Sequence, residues 1–332
     1  MAAALLSFVG VERMGEVYYL IKSGTLSKSE SSLILKNEKE RVDIPIETVD
    51  TLLMYGNITI TTPALKLISE RNIPAFLYSE KGWYITSIYP ENYLQSGYFI
   101  SKQASFYIDA QKRLNLAKKI VEGATKNMAK VCLRSKLGKL QYSTASIRNS
   151  KSISELMGLE GNVHISYLSL LDSKFPSKFK IETRTRRPPT NFTNSIMSYL
   201  YSVLYGVSAA EIFSTHLHPA LSFLHEPSER RSSLALDVSE IFRPIFCDRV
   251  ILKLINLKMM DESDFISSDG VFLSQTGKRK VLQAFDEKLN ETTYVASLKR
   301  KVSNRHLIRL ELYKLEKHIL DEKEYKPYLS RT

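Results

Sequence analysis

The sequence predicts a multidomain α+β protein, with a small, sandwich-like N-terminal β domain followed by a larger all-α C-terminal domain. Its 332 residues are enough for about two domains. Up to about residue 90 the apolar residues form short, strand-like runs between turn-forming residues. From about residue 100 they recur at helical spacing instead. We therefore expect domains at 1–90 and 101–332, joined by a linker at 91–100.

The N-terminal domain is expected to contain about six short strands and one helix. The opening MAAALLSFVG lacks the basic segment of a signal peptide and is interpreted as a first strand. The helix is predicted at TPALKLISERN, with Thr62 as its cap and Pro63 at its first position. The other strand-like runs are EVYYLIK, SSLILKN, RVDIPI, DTLLMYG, NITITT and PAFLYSEKGWYITSIYP.

The C-terminal domain is predicted to be built from long amphipathic helices. The first begins near residue 100, where KQASFYIDAQKRLNLAKKIVEGATKNMAKVCLRS keeps helical spacing over more than 25 positions. Further helices are expected at 150–172, 192–213, 232–258 and 278–322.

Composition and missing motifs exclude several classes of protein. The chain has only two cysteines, without a CxxC spacing, so neither a disulfide framework nor a zinc cluster is predicted, and a reducing compartment is expected. It has no phosphate loop, dinucleotide fingerprint, nucleophile elbow or HExxH helix. No apolar run approaches 18 residues, so no membrane span is expected.

Charge is distributed unevenly along the chain. Residues 1–90 contain 9 Lys and Arg against 10 Asp and Glu, whereas residues 91–332 carry a net charge of +13. Such asymmetry favours a polyanion partner for the second domain, most often nucleic acid. The alternative is an ordinary lysine-rich helical surface.

The stretch MGLEGNVH places the carboxylate of Glu160 in apolar helical surroundings. Its helix has an inward stripe, and Glu160 lies beside that stripe rather than opposite it. Burial of an ionised carboxylate is unfavourable without a compensating cation or donor. Taken alone, Glu160 is better explained as an edge-of-core residue that pairs with an arginine or caps a helix. The stripe consists of Leu156, Leu159, Val163, Tyr167 and Leu170.

A second acidic group lies in SLALDVSEIFRPIF. Asp237 and Glu240 are three residues apart, so they emerge from one helix face among apolar side chains. Arg243 follows at the same spacing and could form a salt bridge with Glu240. Pro244 cannot donate to the Glu240 carbonyl, which predicts a kink.

One arginine cannot neutralise Glu160, Asp237 and Glu240 together, whereas a divalent cation could. Carboxylate oxygens with one imidazole, here His225, favour Mn or Mg over zinc. In a basic domain such a cation would bridge a phosphodiester oxygen and stabilise the charge that develops during displacement.

Several stretches, taken in order, resemble the CRISPR-associated integrase family, the DNA-joining subunit of the spacer-acquisition complex. They are GLEGN, FLHE, SLALDVSEIFRP and LSQTGKRKVLQAF, together with VDTLLMYGNITITTPALKLISERNIPAFLYSEKGWYI, RRPPTNFTNSIMSYLYSVLYG and EYKPYLSR. The likeness covers nearly the whole chain. It implies a homodimer, a small ferredoxin-like CRISPR-associated partner subunit and a prokaryotic cytoplasmic location.

The resemblance also assigns site residues, one position at a time. The metal ligands and catalytic residues would be Glu160, His225 and Glu240. Asp237 matches an acid in or beside the metal site, Asn194 an asparagine close to it, and Arg243 an arginine on the same helix. His164 replaces what is often a small residue, either as filler or as a second nitrogen near the metal.

The implied reaction needs no protein nucleophile, because a DNA 3′-hydroxyl, or water in endonuclease cutting, attacks the phosphodiester. The alternative function is a non-catalytic DNA-binding or scaffold protein with structural acid–arginine pairs. Phe175 and Phe179 could stack on unpaired bases or anchor a loop. The candidate DNA contacts are Lys174, Lys178, Lys180, Arg184, Arg186 and Arg187, with Arg230 and Arg231 as a second group.

Overall fold

The computed structural model describes residues 16–90, 96–227 and 232–330. The chain divides into two compact units, Met1–Tyr93 and Leu94–Thr332. The strand predicted at MAAALLSFVG lies outside the described residues, as do the candidate DNA contacts Arg230 and Arg231.

The N-terminal unit is a sandwich of two four-stranded sheets. One sheet has the order β1-β5-β7-β8, in which only β8 is antiparallel to its neighbour, and the other has the order β4-β3-β2-β6, with β2 and β6 parallel. The strands are β1 (Glu16–Leu20), β2 (Gly24–Ser29), β3 (Ser32–Lys36), β4 (Arg41–Pro45), β5 (Val49–Met54), β6 (Ile58–Ile60), β7 (Ala75–Tyr78) and β8 (Tyr84–Ile88).

The two sheets and helix α1 (Thr62–Glu70) share one apolar core, with Leu33 and Ile44 from one sheet and Leu52 from the other. The predicted sandwich-like fold is therefore confirmed. Strand β2 was not predicted, because in GTLSKS only Leu26 is buried and the alternation of apolar residues is absent. The helix begins one residue earlier than expected, with Thr61 at the cap.

The C-terminal unit is mainly helical, as predicted. Its helices are α2 (Gly97–Ile108), α3 (Ala110–Arg134), α4 (Thr144–Asn149), α5 (Ile153–Asp172), α6 (Phe192–Phe213), α7 (Ser233–Arg243), α8 (Arg249–Asn256), α9 (Gln275–Asn290) and α10 (Asn304–Ile319). The expected first long helix is two helices, because Asp109 leaves the helical conformation and its side chain caps α3.

Two antiparallel hairpins modify the all-α prediction for this unit. Strands β9 (Phe265–Ser267) and β10 (Val271–Leu273) form the first, and β11 (Thr292–Val295) and β12 (Arg300–Ser303) the second. The second hairpin interrupts the helix expected at 278–322, where the β-branched and aromatic residues of TTYV favour a strand over a helix.

Helix α6 forms the centre of this unit and packs against α7 and α10. It is long and apolar enough to cross a membrane, but most of it is buried among the other helices, as in the core helix of a globular domain. At Pro244, where a kink is predicted, the structure has a π-helical segment, Pro244–Asp248, that joins α7 to α8.

A segment after α10, residues 325–330, packs behind α7 and is called the tail here. The buried amide of Asn127 on α3 donates to the carbonyls of Ile241 (2.9 Å) and Tyr328 (3.0 Å) and accepts from the Ser330 N–H (3.0 Å). The rings of Phe242 and Tyr328 stack with centroids 5.6 Å apart. Asn127 thus fixes both the tail and the backbone next to Glu240.

Candidate metal centre

Glu160 is placed by α5, which begins where the Ser152 side chain accepts a hydrogen bond from the Glu155 N–H (3.1 Å). The buried face of the helix carries Leu156, Val163 and Tyr167. Glu160 lies at the border of that face and is partly buried, as its sequence position predicted.

Helix α7 supplies two further acids from one face. Asp237 is fully buried and Glu240 is only 6% exposed. The Arg243 Nη2 donates to Glu240 Oε1 at 2.5 Å, so the salt bridge expected as a competitor to a metal is present.

Asp237 organises the loop that carries His225. Its Oδ2 accepts from the N–H groups of Phe223 (2.6 Å) and Leu224 (3.0 Å), and its Oδ1 accepts from the His225 N–H at 3.0 Å. The same Oδ1 lies 2.8 Å from His225 Nδ1. With both oxygens engaged, Asp237 holds the imidazole in place, so its Nε2 is the nitrogen that a metal could bind.

The charges around this site perturb the pKa of two groups in a consistent way. Burial alone would lower the pKa of His225, but the hydrogen bond and charge of Asp237 outweigh it and raise that pKa. Burial, followed by repulsion from Glu240, raises the pKa of Glu160 to about 7, although Arg243, His225 and Arg186 act in the opposite sense. Glu160 and Glu240 are therefore two carboxylates in one poorly solvated place with too little positive charge.

His164 lies one helical turn after Glu160. Burial, and then the charge of Arg243, lowers its pKa to about 4, so its imidazole is neutral at physiological pH. Its sequence position left open whether it is filler or a nitrogen near the metal, and the structure brings it within electrostatic range of Glu240 and Arg243.

Three buried polar atoms of this cluster have no hydrogen-bond partner: Glu240 Oε2, Arg243 Nε and His164 Nε2. Each such atom costs about 1–3 kcal/mol when left unpaired. Within the described ranges, no three His, Cys, Asp or Glu side chains converge closely enough to enclose an ion. The donor set nevertheless fits a hard divalent cation, because a buried carboxylate oxygen is free beside a second carboxylate and an oriented imidazole.

Asn194 and Arg184 are hydrogen-bonded to each other next to the site and are called the wall here. The buried Asn194 donates from Nδ2 to the Thr183 carbonyl (2.8 Å), and its Oδ1 accepts from Arg184 Nη1 (3.2 Å). The same Nη1 lies 3.1 Å from Ser198 Oγ and also donates to the Thr185 carbonyl. Asn194 therefore positions the loop and its arginine.

A buried tyrosine–aspartate network adjoins this wall, and sequence analysis did not predict it. Arg243 lies 4.7 Å and Arg184 5.7 Å from the centroid of the Tyr201 ring. The hydroxyls of Tyr201 (2.6 Å) and Tyr167 (2.9 Å) donate to the two carboxylate oxygens of Asp248. Burial raises the pKa of Asp248 to about 6. The sequence did contain one indication of this network. Tyr167 lies seven residues after Glu160 on the inward stripe, and a buried tyrosine hydroxyl needs a hydrogen-bond partner.

The candidate DNA contacts between residues 174 and 189 differ in their surroundings. Arg186, Arg187 and Lys174 are exposed, and Arg186 is close enough to Glu160 to lower its pKa. Lys178 is also exposed but pairs with Glu262 (2.5 Å), Lys180 donates to the Asp172 carbonyl (2.6 Å), and Arg184 Nη1 donates to Asn194 Oδ1. Arg186 is therefore an exposed cation within electrostatic range of Glu160.

The two phenylalanines of this loop are anchors. Phe175 and Phe179 are buried, and the Phe179 ring packs against those of Phe192 (5.6 Å) and Phe265 (6.2 Å). Neither ring has a free face for an unpaired base, so the stacking alternative was wrong for both.

Comparison with known proteins shows the family. The model of the family described as "CRISPR associated protein Cas1" matches residues 18–287. A CRISPR-associated protein Cas1 of Methanobrevibacter ruminantium is 40% identical over 314 residues, covering 94% of this chain and 98% of that protein. A CRISPR-associated endonuclease Cas1 of Thermotoga maritima is 37% identical over 314 residues, covering 93% and 98%.

Solved structures agree with this result. A CAS1 protein from Thermotoga maritima, 35% identical, superposes with a TM-score of 0.85 and covers 94% of this chain and 100% of that one. A casposase bound to its integration product, 21% identical, has the same fold, with a TM-score of 0.85 and coverage of 95% and 94%. The chain belongs to the CRISPR-associated Cas1 family, as its motifs predicted.

Proposed function

We propose that this protein is a divalent-metal-dependent DNA endonuclease and integrase that inserts new spacers into a CRISPR array by transesterification. The observation that carries the proposal is the unpaired, buried Glu240 Oε2 beside Glu160, whose pKa is raised to about 7. Two poorly neutralised carboxylates next to an oriented imidazole form a donor set that a divalent cation would bind and neutralise. Relatives named as endonucleases add support.

Glu160, His225 and Glu240 would hold the ion, Mn or Mg. When bound, the ion supplies positive charge to the phosphodiester oxygen that becomes more negative during the displacement. Asp237 keeps His225 in one tautomer and orientation, and Arg243 holds Glu240 through a single oxygen, leaving the other for the ion. The exposed Arg186 would contact the phosphate from the open side.

In the proposed integration step, the 3′-hydroxyl oxygen of the incoming DNA forms a new bond to a phosphorus of the repeat. The bond from that phosphorus to the 3′-oxygen of the target strand breaks. The attacking hydroxyl loses its proton to solvent, and the displaced 3′-oxygen takes up a proton from solvent. Cutting is the same displacement with water as the attacker. No side chain forms a covalent bond, so the chain's residues bind, orient and neutralise charge.

The proposed partners are DNA, a second copy of the chain and a small ferredoxin-like CRISPR-associated subunit, in the cytoplasm of a prokaryote. Solved structures of the same fold are described as a Cas1–Cas2 complex with further domains and as a Cas1–DNA complex. The basic excess of residues 91–332 supports the DNA assignment.

The rival function, a non-catalytic scaffold with structural acid–arginine pairs, is favoured by the Glu240–Arg243 salt bridge. It leaves two features unexplained. Glu160 forms no ion pair within the described ranges, and Glu240 Oε2 stays unpaired in spite of its burial.

The test is incubation of the protein with branched DNA, with Mn and with a chelator. We expect strand cutting and joining only with metal, and loss of both in Glu160→Gln, because the amide cannot supply an anionic oxygen. Glu155→Gln is the matched control, since this exposed residue on the same helix only accepts a hydrogen bond from the Lys151 N–H. Activity that survives chelation or the Glu160 change would disprove the proposal.

A further inference from the structure

A large open groove lies between α3, α4 and the chain that follows α10. It is separate from Glu160, His225, Asp237 and Glu240, which are called the metal cluster here. The groove has a volume of about 810 Å³, and none of these four residues line it. We call it the α3 groove. Its lining includes six cationic side chains: Lys112, Lys118, Lys119, Lys126, Arg148 and Lys326. The acids there number three, Glu122, Asp321 and Glu324, so the groove is positively charged.

Part of this charge is already neutralised within the protein. Glu122 accepts from Lys126 (2.5 Å) and from two nitrogens of Arg148 (2.7 and 2.9 Å), and the Arg148 bond is the main reason that its pKa falls to about 2. Lys119 pairs with Glu324 at 2.8 Å. These pairs fix the groove walls.

Three lysines remain without an acidic partner among the residues that the structure describes. Lys112 has its ammonium 4.9 Å from the centroid of the Phe106 ring, and Lys118 and Lys326 have no ion pair. An unpaired ammonium at the edge of a groove is available to an anion from solution.

The unpaired lysines are spread along the groove. Lys112 and Lys118 are six residues apart on α3, so their Cα atoms lie about 9 Å apart along the helix axis. Lys326 lies in the chain segment that follows α10. A duplex strand carries a phosphate about every 3.4 Å along the axis, so Lys112 and Lys118 are spaced to contact different phosphates of one strand. The spacing suits an extended polyanion better than a single phosphate group.

The groove offers charge but little exposed aromatic surface. The rings of Phe106 and Tyr325 in its floor are 4% and 1% exposed, so no base can lie on them. The wall opposite α3 is held close, because a Cβ on Gly123 would come within 2.6 Å of the Pro327 side chain. Contacts would therefore be to the sugar–phosphate backbone, independent of sequence.

We infer that the α3 groove binds the phosphate backbone of DNA away from the reacting phosphodiester, using Lys112, Lys118 and Lys326. The inference takes its ligand, DNA, from the proposed function, but it does not depend on the metal chemistry. It adds a second DNA-contact surface to the C-terminal unit, separate from Arg186 and the loop beside the metal cluster.

The test compares two triple variants in DNA binding. One is Lys112→Ala, Lys118→Ala and Lys326→Ala, and the control is Lys139→Ala, Lys151→Ala and Lys301→Ala. The control lysines are also exposed and without an acidic partner in the described ranges, and they do not line the groove. Affinity is measured against salt concentration in the presence of chelator, with duplex and single-stranded probes, and thermal unfolding verifies that both variants fold.

Loss of three phosphate contacts should reduce the slope of log affinity against log salt by about 2.7 for duplex or about 2 for single-stranded DNA. A reduction with either probe, absent from the control, supports the groove and identifies the form of DNA it holds. An unchanged slope, or equal reductions in both variants, overturns the inference. Because chelator removes metal-dependent cutting, the slope measures binding alone, and the loss of cutting by Glu160→Gln in the presence of Mn tests the proposed function separately.

Discussion

The C-terminal unit contains two buried carboxylate–arginine clusters. Both oxygens of the carboxylate accept hydrogen bonds in one cluster, but only one oxygen does so in the other. In the first, Glu211 is fully buried, its Oε1 accepts from Arg305 Nε and its Oε2 from Arg309 Nε, both at 2.7 Å. In the second, Glu240 has one oxygen bonded to Arg243 and the other bonded to nothing.

The difference separates a cluster that holds two helices together from a cluster that is suited to bind a ligand. A buried carboxylate with both oxygens paired needs nothing further, and the Glu211 cluster joins α6 to α10. Glu240 has a free carboxylate oxygen and lies near the carboxylate of Glu160 and the neutral imidazole of His164. Burial of this unpaired oxygen is unfavourable, and a bound cation would remove the cost. The predictions below test this contrast.

The largest effect on stability is expected from Glu211→Gln. It leaves Arg305 and Arg309 as buried charges without their anion, which should lower the free energy of unfolding by about 3–5 kcal/mol. Urea denaturation measures it. The control is Glu287→Gln, which breaks an exposed pair with Lys253 and should cost no more than about 1 kcal/mol. Equal effects of the two changes would contradict the architectural role.

The corresponding change in the second cluster, Glu240→Gln, should affect activity instead. Loss of an electrostatic contribution of this kind lowers rates by about 10²–10³-fold, so Mn-dependent cutting should fall by that factor. Its loss of stability should be smaller than that of Glu211→Gln, because the cluster is incomplete already. Near-normal cutting together with a large loss of stability would show that Glu240, like Glu211, contributes to stability and not to cutting.

Glu160 should give the metal-free protein a distinctive pH dependence. Its pKa rises from 4.5 to about 7 on folding, so between these values the folded state binds more protons than the unfolded state. Its contribution to stability is therefore largest below pH 4.5 and is lost as pH rises through 7.

The measurement for Glu160 is the difference in unfolding free energy between wild type and Glu160→Gln from pH 4 to 8. Wild type should lose stability relative to the variant as pH increases, without metal. Saturating Mn should oppose this loss, since the ion binds the ionised form. Parallel pH profiles in chelator would show that the cluster does not raise this pKa.

The smallest expected effect concerns the helix face beside Glu160. Gly161→Ala adds a methyl group that meets nothing within 4 Å, and alanine is favoured over glycine in helices by about 1 kcal/mol. Stability should rise, while DNA cutting falls if the substrate backbone approaches that face. The control is Ser166→Ala on the exposed side of the same helix, which should leave cutting unchanged. A gain in stability with unchanged cutting would show that DNA does not approach there.

Much of the fold was predictable because burial imposes periodicity on the sequence. The six strand-like runs and the helices at 150–172 and 192–213 have regular apolar spacing, and the structure contains them. Strand β2 lacked that signal, since only one side chain points inward, and the β11–β12 hairpin was hidden between two true helices. Pro244 was informative because a missing N–H has a local consequence.

The candidate site was predictable only where its residues share one helix or one motif. The pairs on α7 follow from spacing alone, whereas His225 was joined to them by the donor set that a divalent cation prefers and by family resemblance. The Tyr167–Asp248–Tyr201 network depends on three helical segments that meet in space, so no local pattern contained it. Arg184 and Lys178 looked like free cations because sequence does not show which charges already have partners.

The tail has a consequence for the order in which the protein is made. Its bond from the Ser330 N–H to Asn127 joins positions 203 residues apart, and the same amide holds the carbonyl next to Glu240. A nascent chain on the ribosome cannot form this bond until residue 330 has emerged, long after α3 and α7 have been synthesised. Closure of such a distant contact comes late in folding. The backbone beside Glu240 therefore reaches its final support only when translation has passed the tail.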